Sequence, residues 1–214
     1  APLYEVTQVT LDVKNAILAI VLAVLISPVA QLFRRLTQKA QAQKVTDYTI
    51  LWRLPLTFLL LASLSLVFPE ILGNGGAMAQ GVFDGMTVQY AAMIVVVKSF
   101  VVLLTLKNGA YGGTLTPSFS LGAVLGFLGA ALCSQIFPTI SLASAMLIGS
   151  SVFLTITMNA PLTAIGLVVS FTGQKLQALP ILLIAVAVAI FIKQLIERNS
   201  YVNPYRSQTR RNCR

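Results

Sequence analysis

Apolar runs of near-membrane length alternate along this chain with short polar or glycine-rich interruptions. Ala1 to Asp12 is mixed and mildly acidic and reads as a loop. Asn15–Phe33 is the first predicted span, of the usual length, with Pro28 kinking its second half. A polar linker from Gln38 to Asp47 leads to a second span, Ile50–Phe68, whose Arg53 snorkels to the interface. Pro69 and Gly73-Asn74-Gly75-Gly76 stop that span, and Ile71–Gln80 is too short to cross, so it reads as a re-entrant or interfacial helix. Val88–Leu106 crosses, whereas Thr116–Ile136 is a helix that need not traverse the whole membrane. Phe137-Pro138 turns the chain into Ser141–Met158. Asn159-Ala160-Pro161 then interrupts, the short helix Leu162–Thr172 follows, and Leu179–Ile196 precedes a polar-aromatic terminal segment. Short apolar segments broken at proline or glycine point to a transporter or channel with a midplane site, since a plain bundle of spans has no need of them.

The most informative break is Gly109-Ala110-Tyr111-Gly112-Gly113-Thr114-Leu115-Thr116-Pro117. Within a bilayer, unpaired backbone groups are tolerated only where protein buries them or a cavity faces them. A helix that starts partway through the membrane aims free N–H groups, with about half a positive charge, into that cavity. Such a site suits an anion. The same residues also read as a tight inter-helix turn followed by a proline in the first helical turn. Gly122, Gly126 and Gly129 beyond it predict close helix packing. Lys98, inside an apolar run, must face protein or water; it reads either as a source of positive potential or as a snorkelling or structurally paired residue.

Composition sets the medium. Hydrophobic residues make up 57% of the chain, charged residues 10%, and the mean hydropathy is +0.84, which places the chain in lipid. The net charge of +9 does not call for nucleic acid. Arg34, Arg35, Lys39, Lys44 and Arg53 share one inter-span segment, and Arg198, Arg206, Arg210, Arg211 and Arg214 share the tail, the ordinary positive-inside pattern. Glu70 and Asp84 then lie on the other side. Cys133 reads as a small apolar residue and Cys213 as a free thiol; neither has metal spacing or supports a disulfide framework. The chain has no histidine and no carboxylate inside a predicted span, so an enzyme is the weakest class and no internal proton path is encoded here. The opening at Ala1, with neither methionine nor a signal segment, suggests a piece of a longer protein.

Gly113-Thr114-Leu115-Thr116-Pro117, followed by Ser118-Phe119-Ser120-Leu121-Gly122-Ala123, resembles the G-x-F-x-P motif and glycine-spaced helix of CLC chloride channels and chloride–proton antiporters. Asn159-Ala160-Pro161-Leu162-Thr163-Ala164 is similar to the (R/N)-A-P-L-T-(G/A) turn of that family. Lys98 lies in a helix that often holds lysine there, and Pro180 and Tyr201 fall where the family has a proline and its terminal, anion-facing tyrosine. Leu115 stands in place of the usual phenylalanine, a change of packing and not of the backbone donor. The two anion-site motifs of the family's first half, one with a serine and one with the gating glutamate, are absent.

The resemblance implies an all-α, polytopic membrane protein with short, broken and re-entrant helices, the second half of an inverted-repeat CLC-type fold. Residues 1–214 would be the C-terminal half of the transmembrane domain, with a short basic cytoplasmic tail from about Asn203. The anion site would comprise Gly113, Thr114, Leu115, Thr116 and Tyr201, with main-chain N–H groups of Thr114 and Leu115 as donors. Tyr201 equally reads as an interfacial belt tyrosine. The implied function is chloride transport, by chloride–proton antiport in the full-length protein, because no large regulatory module follows Arg214. A passive, voltage-gated-type chloride channel is the alternative, and a non-transporting scaffold subunit a third reading. No cofactor is expected, only chloride as the transported ligand. The expected partners are chloride, protons, the lipid bilayer, the missing N-terminal half and a second copy in a homodimer, in part through Leu142–Met158 and Leu162–Ile196; nucleic acid is not among them. The expected location is a bacterial inner membrane.

Overall fold

The computed structural model describes residue 9 and residues 12–73, 75–83, 85–134 and 141–211; side chains are described as far as Arg198, Phe83 excepted. Among these residues every regular element is helical. In chain order they are α1 (Val13–Ala42), α2 (Ile50–Ser65), a 3-10 turn (Pro69–Ile71), α3 (Gly76–Phe83), α4 (Val88–Lys107), α5 (Leu115–Cys133), α6 (Leu142–Met158), α7 (Pro161–Thr172), a second 3-10 turn (Leu176–Ala178) and α8 (Leu179–Arg211). Four stretches are long and apolar enough to cross a membrane: α1, α4, α5 and Leu176–Arg198.

α6 is the centre of the fold. Every residue from Ala143 to Ile156 is buried, and α1, α5, α7 and α8 pack around it. The small residues predicted to allow close packing do so where α5 crosses α6. A methyl group built on Gly126 would lie 2.1 Å from the Ala145 carbonyl oxygen, and one on Gly122 would lie 2.7 Å from that of Gly149. Only glycine permits backbones to approach so closely. Ser150 Oγ adds a hydrogen bond to Phe119 O across the crossing, at 3.2 Å. α1 turns Leu18, Leu22 and Ile26 towards this core, one turn apart, and Gly129 of α5 leaves room for the Leu22 side chain. Since α6 is wrapped by its own chain, its predicted share in a homodimer contact does not fit; the exposed apolar residues Leu162 and Phe191 lie on α7 and α8.

Helix boundaries differ from the predicted ones in three places. α1 runs on to Ala42, so Gln38–Ala42 belongs to it and not to the linker. Glutamine, lysine and alanine are good helix formers, and their polarity marks only where the helix leaves the apolar medium. The segment predicted as one short helix, Ile71–Gln80, is a 3-10 turn and then α3, because Gly73 and Gly75 take φ of +64° and +87° and break the ladder. α8 continues as helix to Arg211, past the expected end at Ile196; no glycine between them supplies a left-handed stop. Elsewhere the punctuation behaves as expected. Asn159 closes α6 at φ 56°, Pro161 occupies the first position of α7, and Gly173 ends it at φ 60°. The predicted Phe137-Pro138 turn lies outside the described residues.

Polar contacts tie the ends of the helices. Gln31 Nε2 donates to Glu197 Oε1 at 3.0 Å, while Arg34 and Lys193 approach the same carboxylate at 4.0 and 3.9 Å. Lys193 also donates to Asn159 Oδ1. One carboxylate thus joins α1 to α8, and the lysine beside it joins α8 to the α6–α7 turn.

Candidate functional site

α4 gives the depth scale. At one end the linker's Val45 N–H donates to Lys107 O at 2.9 Å. At the other, the Tyr90 hydroxyl donates to Glu70 Oε2 at 2.6 Å. Lys98 lies between, roughly 14 Å from each end at 1.5 Å per residue. It is 3% exposed, and its ammonium donates to Ile71 O and, at 3.2 Å, to Gly73 O. Among the described residues no carboxylate lies within ion-pair distance of it. The turn after Glu70 therefore dips from the end of α4 towards its middle, and the two carbonyls it carries there are satisfied by the lysine. The prediction that Lys98 faces protein is met, and its partners are main-chain oxygens.

The start of α5 lies at the same depth. Gly75 packs directly on it: an added methyl group would sit 2.2 Å from Ser120 Oγ. Ser120 Oγ bonds back to Thr116 O and Pro117 O, at 3.3 and 3.1 Å, in the helix's first turn. From the end of α4 the chain thus folds back through Gly109 and Gly113, and a new helix begins near mid-span. Gly109 has φ +106°, and a methyl there would meet Ile50 Cδ1 at 2.3 Å, so the reversal requires glycine. Gly112 and Gly113 have no such φ, and among the described residues, chain neighbours aside, nothing lies within 4 Å of a methyl built on either.

Thr114 is the N-cap of α5, at φ −89° and ψ 7°, and its side chain makes no capping hydrogen bond. The first helical residues are Leu115 and Thr116, with Pro117 in the first turn. Among the described residues, the N–H groups of Gly113, Thr114, Leu115 and Thr116 donate no hydrogen bond within the chain, while Ser118 N–H already reaches Thr114 O at 2.9 Å. These unsatisfied amides and the positive end of the helix dipole converge at this point. Gly113 and Thr114, with Pro117 from the first turn, line a cavity of ≈ 280 Å³ together with Lys98, Thr105, Tyr111 and Gly112, and Leu61 and Val101 are among its apolar walls; Leu115 and Thr116 lie next to it in the chain but do not line it. Tyr111 is itself held against the Lys44 ammonium, 2.9 Å from its ring centroid.

Gly113, Thr114, Leu115 and Thr116 are therefore contiguous and share one helix start, with Gly113 exposed and the other three half-buried. Tyr201 falls within α8, where the structure describes the backbone alone. The Ile71 and Gly73 carbonyls and Ser120 were not picked out from the sequence. Two glycines bracketing an asparagine, some 25 residues before a lone lysine, gave the only signal.

A helical chain whose elements start, stop and turn back within the depth of one span defines a polytopic membrane protein with a broken helix at its centre. A family model described as voltage gated chloride channel matches residues 1–194. The chain belongs to that family, the CLC proteins. It is similar to the voltage-gated ClC-type chloride channel ClcB of Escherichia coli strain SMS-3-5 / SECEC, 32% identical over 161 residues, 74% of this chain and 38% of that protein. ClcB of Escherichia coli strain K12 / DH10B is 30% identical over 160 residues, 73% of this chain and 38% of that protein. The fold is similar to the crystal structure of a CLC-type fluoride/proton antiporter, with a TM-score of 0.69 at 21% identity, over 89% of this chain and 47% of that one. The chain thus spans less than half the length of the relatives it matches.

Proposed function

We propose that this chain is the C-terminal half of the transmembrane domain of a chloride-transporting CLC protein, and that its share of the anion site is the start of α5. The observation that carries this reading is the set of N–H groups at Thr114, Leu115 and Thr116 that have no hydrogen bond among the described residues, level with the middle of α4, at a helix start whose Gly113, Thr114 and Pro117 line a cavity. An ion leaving water needs replacement donors; several partial charges bind it and still release it, where one full counter-charge would hold it. Leu115 has no polar side chain, so its contribution is main-chain. The open space around Gly112 and Gly113 is where the ion and the missing N-terminal half would sit. Tyr201 would add a hydroxyl donor from α8. No cofactor and no enzymatic chemistry enter this reading.

Chloride–proton antiport in a bacterial inner membrane, by a homodimer, is the full-protein function we favour, and the likeness in fold to a CLC-type fluoride/proton antiporter supports it. The proton's carboxylates would come from the N-terminal half, since Asp12, Asp47 and Glu70 lie at a helix cap, in a loop and in a 3-10 turn, and Glu197 lies at the very end of the apolar stretch of α8. A passive channel is the second reading, favoured by the names of the bacterial relatives. Full-length protein reconstituted in liposomes separates them. An outward chloride gradient should drive chloride efflux together with uphill proton uptake. Chloride flux without proton movement would replace antiport by a channel, and no anion flux at all would leave only the scaffold reading.

A further inference from the structure

We propose that Lys98 is a positioning residue for the α5 N-terminus, acting through the 71–75 turn as a clamp and not through its charge on the anion. The inference rests on the anion site argued above and goes beyond it by naming what holds that site in place. Lys98 grips the carbonyls of Ile71 and Gly73. Two residues on, Gly75 is pressed against Ser120, whose hydroxyl bonds to Thr116 and Pro117. A continuous line of contacts thus runs from the middle of α4 to the first turn of α5.

Each part of this line needs the other. A buried ammonium without a carboxylate is costly unless its donors are satisfied, and here main-chain oxygens satisfy them. The same oxygens belong to a non-helical turn at membrane depth, where no water replaces a missing donor. The positive φ of Gly73 and Gly75 keeps the turn in a shape that other residues rarely adopt. Binding donors must be held to about 0.5 Å to act together on one ion. The α5 start has no side-chain cap to fix it; α6 holds its far side at Phe119 and Gly122, and the wedge presses on its first two turns from the side of α4.

The experiment compares Lys98→Met, Lys98→Gln and Gly75→Ala in the full-length protein, with chloride affinity measured by calorimetry and bromide located by anomalous scattering. Lys98→Met removes both donor and charge and should weaken chloride binding by about tenfold or more. Lys98→Gln keeps a donor for the turn without a charge and should stay within about threefold of wild type. Gly75→Ala leaves the lysine intact but pushes the wedge off Ser120, and it should weaken binding as Lys98→Met does. In both weakened variants the bromide peak should shift or spread while it stays near Thr114 and Leu115. If Lys98→Gln is as poor as Lys98→Met and Gly75→Ala binds normally, the lysine acts by charge and the clamp is wrong. Should Lys98→Met fail to fold, the Gln and Ala variants decide the same point. Normal affinity in all three, with bromide at Leu115, overturns the clamp alone; bromide far from Leu115 in the wild type overturns the site itself.

Discussion

Leu115 is the residue on which the proposed anion site turns, because it offers a donor and nothing else. It stands at the first position of α5, with its N–H unbonded in the chain. Replacing that amide by an ester, with the leucine side chain kept, removes the donor without changing shape. A hydrogen bond to a charged group is worth about 1.5–3 kcal/mol, so chloride affinity should fall roughly 10- to 150-fold. Thr114→Val should retain most of the affinity, since it keeps both shape and N–H. Calorimetric titration of each full-length variant with chloride checks this. A loss in Thr114→Val with none in the ester would mean that the threonine hydroxyl, and not the Leu115 backbone, holds the ion. The neighbouring glycines divide by the same logic: Gly109 is required by its φ and by Ile50, whereas no described residue beyond their chain neighbours crowds Gly112 or Gly113.

At the scale of elements, the α5–α6 crossing is where the fold has least freedom. Gly122, Gly126 and Gly149 meet main chain on the opposite helix, so no rotamer change can make room for a methyl group. Overpacking in a tight core costs about 1–3 kcal/mol, and a backbone-to-backbone clash belongs at the upper end. Gly126→Ala should therefore lower the melting temperature of the detergent-solubilised protein. Gly166→Ala on α7, where nothing in the chain lies within 4 Å, should be neutral or slightly stabilising, as alanine is the better helix former. A loss at Gly166 as large as that at Gly126 would show that another surface covers α7. Because α5 carries the site at one end and the crossing along its length, mutations in the crossing should disturb anion binding as well.

For the molecule as a whole, α4 is a ruler with both sides of the membrane marked on it. The 43–49 linker bonds to its last residue and Glu70 to its first turn, so the linker, flanked by Arg34, Arg35 and Lys39 on α1 and Arg53 on α2, lies at the opposite end from Glu70. α2 runs between those ends with only Thr57 buried, and its exposed Leu51, Trp52, Leu56 and Leu59 form a face suited to lipid. The positive-inside bias predicts a cytoplasmic position for the linker and its basic flanks. Single cysteines at Gln41 and Glu70, in a background with Cys133 and Cys213 replaced, should label from opposite sides in intact cells and in inverted vesicles. Labelling of both from one side would overturn the topology.

The medium, the number and order of the helices, and the break before Leu115 were legible from residue type alone. Long apolar runs admit one backbone solution in lipid, and glycine or proline at their ends marks where it stops. The helix start at Thr114 and Leu115 could be placed from the sequence because glycine, then proline in the first turn, specify it locally. Helix ends set by polarity were misjudged: Gln38–Ala42 and the residues after Ile196 leave the apolar pattern but keep the helical hydrogen bonds. Depth and partnership came from the tertiary structure. Nothing local says that Lys98 meets the carbonyls of Ile71 and Gly73, or that Gly75 rests on Ser120. Those contacts join residues more than 20 positions apart, and only the packing of α3, α4 and α5 brings them together. The burial of α6 was hidden for the same reason, since its apolar sequence would serve equally well against lipid, a second subunit or its own chain.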